Sequence, residues 1–140
     1  MLVTNPQQIK TYLEESKVIA IVGLSPRPEA TSHMVARFLQ EKGYRIVPVN
    51  PRAVDQMILG EQVYPSLASI PFPIDIVDVF RRSEFLPQVA EDFLQANVKI
   101  FWAQQGLFSQ EALDRLNQAG VEDVVMDRCI KVDYQTLIEK

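Results

Sequence analysis

A chain of 140 residues, 47% hydrophobic and 23% charged, can bury one substantial core and leaves little room for two domains. Its 14 basic and 18 acidic residues give a formal net charge of -4, which argues against broad adhesion to nucleic acid or anionic lipid, so any anion must be held by a local basic cluster. The single cysteine, Cys129, excludes an internal disulfide and fits a reducing compartment.

Met1–Pro6 lacks a basic stretch backed by apolar residues, and no apolar run approaches the roughly 20 residues of a spanning helix. The expectation is a cytoplasmic protein that is neither secreted nor inserted in a membrane. Thr4 or Asn5 can cap a first helix with Pro6 in its first turn and Ile9, Tyr12 and Leu13 as its apolar stripe. A strand is predicted over Val18–Val22, followed by a helix capped by Thr31 or Ser32, with Met34, Val35, Phe38 and Leu39 at helical spacing and Gly43 as its stop. Tyr44–Val49 reads as the second strand, ended by Asn50-Pro51. Gln62–Tyr64 is a candidate third, edge strand and Ser66–Ile70 a helical turn, before Pro71 and Pro73 introduce a strand over Ile74–Phe80. Ser83 is placed as the cap of a helix bearing Phe85, Val89, Phe93 and Leu94, ended near Asn97. Strand Val98–Trp102, helix Ser109–Ala119 stopped by Gly120, strand Val121–Met126 and a short helix over Asp133–Lys140 complete the chain.

Strands alternating with helices across short connections specify an α/β fold: one domain over 1–140, a doubly wound, Rossmann-like parallel sheet with helices on both faces and expected strand order 3-2-1-4-5-6. In such a sheet the ligand lies beyond the carboxyl ends of the strands. The first strand ends in Gly23-Leu24-Ser25-Pro26-Arg27, a small-residue turn before a helix, where free amides and the helix dipole favour an anion. The positions of the second and third glycines of a dinucleotide fingerprint hold Ser25 and Pro28, so the nicotinamide pattern is broken. Asn50 stands where an NAD site usually has an acid for the ribose; the other reading of Asn50-Pro51 is an ordinary loop opener. Arg27, Arg52, Arg81, Arg82 and Arg128 all follow strands, so an acidic chain can still present a cationic rim; individually, each also reads as a solvated loop residue.

Val22-Gly-Leu-Ser-Pro26, Gly43-Tyr-Arg-Ile-Val-Pro-Val-Asn-Pro51, Ile58-Leu-Gly60 with Tyr64-Pro-Ser-Leu67, Ile74-Asp-Ile-Val-Asp-Val-Phe-Arg-Arg-Ser-Glu84, Trp102-Ala-Gln-Gln-Gly106 and Met126-Asp-Arg-Cys-Ile-Lys131 form a set of blocks spanning Val18 to Lys131. Together they resemble the small stand-alone coenzyme A-binding proteins, whose domain is similar to the N-terminal domain of the succinyl-CoA synthetase alpha subunit. The resemblance implies CoA or acyl-CoA as ligand, with phosphates over Gly23, Leu24 and Ser25 beside the helix start near Ser32, and adenosine toward Asn50 and Pro51. It also implies Phe80 and Arg81 beside the ligand and the Trp102–Gly106 loop, with Gln104, across the cleft near Cys129. Ala30 and Tyr134 depart from the family, which often has a basic residue and a histidine there; Arg27 is a candidate substitute for the first.

Cys129 reads either as a packing residue or as a thiol able to pair with that of CoA under oxidising conditions. His33 reads as facing water or touching ligand, and Trp102 as packing in the core or an interface or stacking on a pantetheine arm. Asp75 and Asp78, on opposite faces of a strand, read as braces rather than an acid/base pair. No catalytic pair and no metal-ligand set emerges. The leading expectation is a CoA-binding module without catalysis of its own. The alternatives are an NADP-dependent oxidoreductase or nucleotide redox sensor using the same site, and a CoA-binding subunit serving an acyl-CoA synthetase in trans. As partners, a homodimer or a synthetase-like protein is expected, and neither nucleic acid nor membrane.

Overall fold

The computed structural model describes the whole chain, Met1–Lys140. Helix α1 (Pro6–Glu15) is capped by Asn5, whose side-chain oxygen accepts from the Gln7 and Gln8 amides at 2.9 and 3.1 Å. There follow β1 (Val18–Val22), α2 (Thr31–Glu41), β2 (Arg45–Val49), β3 (Met57–Ile58) and β4 (Glu61–Gln62). The remainder comprises β5 (Ile74–Val79), α3 (Leu86–Leu94), β6 (Val98–Ala103), α4 (Gln110–Gln118), β7 (Val124–Val125) and α5 (Ile130–Leu137).

Five strands form one parallel sheet in the order β2-β1-β5-β6-β7, and β3 with β4 makes a separate antiparallel hairpin. Across the middle of the sheet Ile21 pairs with Asp78, and Asp78 with Trp102. Helices α1, α2 and α5 cover the face bearing Ile19, Ile21, Ile76, Ile100 and Trp102. Helices α3 and α4 cover the face bearing Val22, Val47, Val77, Val79 and Phe101. Burial on both sides is the reason these strands read as apolar runs rather than alternating patterns.

The expected order 3-2-1-4-5-6 becomes 2-1-4-5-6, because the predicted third strand does not join the sheet. At the predicted edge, Gln62–Tyr64, only Tyr64 joins β2, in a single parallel bridge with Val49. Tyr64 donates to the Pro48 carbonyl at 2.9 Å and accepts from Asn50 at 3.0 Å. The next rung back would require an amide on Pro48, which proline lacks, and Gln62 pairs with Met57 instead.

Three helix starts also differ from expectation. Ala30, without a side-chain cap, precedes α2, because the Ser32 hydroxyl is taken by the Ser25 amide. Ser83 opens a 3-10 turn and accepts from the Phe108 amide, so α3 begins only at Leu86. Helix α5 begins at Ile130, three residues earlier than Asp133, with Cys129 as its N-cap residue. The last strand shrinks from Val121–Met126 to Val124–Val125, where the Val3 amide bonds to the Val124 carbonyl at 2.8 Å on the open side.

Candidate functional site

The carboxyl ends of β1, β2 and β5 meet at Gly23, whose amide donates to the Val49 carbonyl at 2.9 Å. Its φ is +87°, and a β-carbon there would lie 2.4 Å from the Phe80 carbonyl oxygen. The close approach that demands glycine is therefore to the end of β5. The loop beyond is fixed by its own polar groups. Leu24 is fully buried, and its carbonyl accepts from Asn50 Nδ2 at 2.9 Å. The Ser25 amide donates to Ser32 Oγ at 3.0 Å, and Ser25 Oγ accepts from the Arg27 amide at 3.1 Å. His33 Nδ1 bonds to the Ser25 carbonyl at 2.9 Å, and the ring is buried. His33 is thus an anchor of this loop and does not face water. Asn50 Oδ1 accepts from the Arg52 amide at 2.9 Å, so its side chain both opens its own loop and ties it to the first.

At the start of α2 the amides of Thr31, Ser32 and His33 have no acceptor within the chain. They and the positive end of the helix dipole stand beside the Gly23–Arg27 loop, a setting suited to an anion.

Two depressions flank the tip of β5. The first, about 550 Å³, is lined by Gly23, Asn50, Pro51, Arg52, Pro65, Ser66, Arg81, Arg82 and Phe85, among others. The second, about 400 Å³, is lined by Thr31, Phe80, Arg81, Arg82, Gln104, Gln105, Leu107 and Cys129. Arg81 and Arg82 form their common wall. The Arg81 guanidinium lies 4.2 Å from the Phe85 ring centroid, a stacking contact that leaves its edge N–H groups for an anion.

Several sequence-predicted residues belong to the scaffold rather than to these walls. Trp102 is fully buried, and its Nε1 donates to the Arg128 carbonyl at 2.9 Å, so it is a core residue. Leu24 and Ser32 are buried, the latter with its hydroxyl engaged; Pro26 and Arg27 line neither depression, and Arg27 pairs with Glu29 in solvent. Gly106 lines neither, and its amide donates to Asp127 Oδ1 at 2.6 Å. Arg128 is held by Asp133; Arg52, Arg81 and Arg82 line the depressions, Arg82 with Glu84 at 3.4 Å beside it. Tyr134 packs edge-on against Phe38 and Tyr44, with ring centroids at 5.7 and 6.0 Å, as an aromatic wedge. Phe85, Pro65, Ser66, Thr31, Gln105 and Leu107 are wall residues that the sequence left unassigned. For Phe85 the signal was its spacing from Arg81, four residues on.

Asp75 and Asp78 do not form a pair. Asp75 Oδ2 accepts from the Lys17 and Val18 amides at 2.8 and 2.9 Å, a brace across the sheet's lower end. Asp78 is wholly buried, neither oxygen has a hydrogen-bond partner, and desolvation pushes its carboxyl well above the usual carboxylate range. No group of three or more His, Cys, Asp or Glu side chains is placed to hold a metal ion, and no helix is long and apolar enough to cross a membrane.

Comparison with known proteins bears on this arrangement. The family model described as a CoA binding domain matches residues 17–135. An uncharacterized protein of Bacillus subtilis, YneT, is 54% identical over 127 residues, covering 91% of this chain and 92% of that one. The alpha subunit of acetate–CoA ligase (ADP-forming) I of Pyrococcus furiosus is 33% identical over 88 residues, 60% of this chain and 19% of the subunit. Among solved structures, that of cell-free ID.343 from Thermus thermophilus superposes with a TM-score of 0.91 at 36% identity, covering 96% of this chain and all of that one.

Proposed function

The chain belongs to the CoA-binding domain family, and from that membership we propose that it binds CoA or acyl-CoA across the tip of β5. In this reading the phosphates lie over the Gly23–Ser25 loop and the free amides of α2. Adenosine occupies the 550 Å³ depression beside Asn50 and Pro51, and the pantetheine arm passes Phe80 and Arg81 into the 400 Å³ depression toward Gln104. The observation that carries it is the pair of depressions sharing Arg81 and Arg82, since a ligand with a nucleotide at one end and a long arm at the other needs two compartments joined by cations.

The test is calorimetric titration of reduced protein with CoA, acetyl-CoA, NAD and NADP at fixed salt. Saturable binding of CoA and none of the nicotinamide dinucleotides is expected. Ser25→Asp, which keeps an acceptor for the Arg27 amide but puts a negative charge where phosphate would lie, is expected to weaken CoA at least about tenfold without unfolding the chain.

Arg52 supports a second reading. It lines the first depression just beyond β2, where an arginine can accept a 2′-phosphate, so selective NADP binding would redirect attention to a hydride acceptor. Service to an acyl-CoA synthetase in trans is a further reading, drawn from the ligase subunit, of whose length this chain matches 19%. Recovery of an ATP-grasp partner in a pull-down would support it. We place the protein in the cytoplasm because its single cysteine fits a reducing compartment.

A further inference from the structure

Cys129 is the one free thiol of the chain, and it lines two recesses at once. One is the 400 Å³ depression shared with Phe80, Arg81 and Gln104; the other, about 270 Å³, it shares with Arg128 and Asp133. The backbone that presents it is tied on both sides. Arg128 offers its carbonyl to Trp102 Nε1 at 2.9 Å and its guanidinium to both Asp133 oxygens at 2.8 Å, while the Ile130 amide donates to Gln104 Oε1 at 3.0 Å. The thiol is therefore held at a fixed place on the wall of the recess.

A separate feature of the same recess points to a ligand. Gln104 is 5% exposed, and its Oε1 is engaged by Ile130, yet its Nε2 has no acceptor within the chain and the side chain lines the depression. That donor faces the depression and is free to meet an acceptor that enters it. The arm of CoA carries amide carbonyls on the way to its thiol.

Resting on the CoA reading, we propose that this recess is a thiol–disulfide exchange site, in which Cys129 captures CoA from a CoA disulfide while Gln104 Nε2 donates to an amide carbonyl of the arm. The Cys129 thiol loses its proton to solvent and its sulfur attacks one sulfur of the disulfide. The sulfur–sulfur bond of the disulfide breaks, one CoA leaves as thiolate and is protonated, and the other remains as a Cys129–CoA mixed disulfide. CoA disulfide is the oxidant, and a second thiol reverses the step.

The test follows intact mass during incubation of reduced protein with CoA disulfide and, separately, with glutathione disulfide, alongside calorimetric titration with CoA. One CoA-sized adduct is expected, formed about tenfold or more faster than the glutathione adduct in folded protein and at about the same rate in urea. Cys129→Ser should form no adduct with either disulfide. Gln104→Glu, which keeps an acceptor for Ile130 and removes the donor, should slow only the CoA reaction. Equal rates for the two disulfides, or no CoA adduct, with CoA binding intact, would overturn the exchange site and leave the CoA reading standing. Equal rates without CoA binding would overturn both, and an unaltered CoA rate in Gln104→Glu would remove the amide from the site.

Discussion

The carboxyl group of Asp78 lies between Ile21 and Trp102 in the sheet with neither oxygen hydrogen-bonded. Burial favours its neutral form, so the folded chain holds a proton that the unfolded chain releases. Below the ordinary value of 3.8 both states are protonated and ionisation costs nothing. As pH rises above it, stability falls by about 1.4 kcal/mol per pH unit until the raised folded value is reached. Asp78→Asn cannot ionise, so its stability from urea unfolding should gain on the parent as pH rises from about 4 toward the raised folded value. A constant difference across that window would mean that Asp78 does not titrate on unfolding. Such a residue shows where a sequence is mute. Its alternation places Asp78 on a face, but whether a partner waits there depends on side chains from distant elements. The same blindness affects Trp102 and His33, whose polar atoms are met by the Arg128 and Ser25 carbonyls.

Among the elements, the start of α5 is the one whose integrity reaches furthest. Arg128 and Asp133 form a bidentate pair across its first turn, with the Asp133 side chain 10% exposed. Asp133→Asn breaks the charge pair beside a partly buried guanidinium and should cost about 2 kcal/mol in thermal or urea unfolding. It should also speed alkylation of Cys129, the N-cap residue of that helix; an unchanged alkylation rate would show that the pair does not hold the thiol in place. Strands and helix bodies were legible here because both sheet faces are buried and helix stripes recur at regular spacing. Helix starts were not. Thr31 and Ser32 both qualify as caps by residue type, but the Ser32 hydroxyl finds the Ser25 amide of the preceding loop, seven residues away, and leaves Ala30 at the cap position. The lost edge strand had a visible cause in Pro48, whose missing amide faces the side on which that strand would have grown.

For the molecule as a whole, the relevant contrast is between a net charge of -4 and three arginines gathered at one end of the sheet. A bound anion that prefers the folded state raises its stability by mass action. At CoA concentrations near a hundred times its dissociation constant the gain is about 2.7 kcal/mol. For a chain of this size that is a rise of roughly 8–11 °C in Tm, which should shrink as added salt screens the arginines. NAD at the same concentration should leave Tm unchanged; an equal rise with both would remove the selectivity for CoA. The loops that carry this end of the molecule were legible as loops, but of the five arginines read as a rim only Arg52, Arg81 and Arg82 line the depressions. Which of them line the depressions was not legible, because that depends on where each loop runs and on local pairings such as Arg128 with Asp133, which composition does not rank.

Both margins of the sheet are brought to a stop. On one side β2 is covered by a single bridge and then interrupted at Pro48; on the other, two residues of β7 meet the Val3 amide. A second copy therefore finds no long run of open main chain to join, so growth of a continuous ribbon from molecule to molecule is blocked at both ends. Any self-association must be built from side chains on the helical layers, with its own stoichiometry and an end, which separates assembly of this protein from aggregation of it.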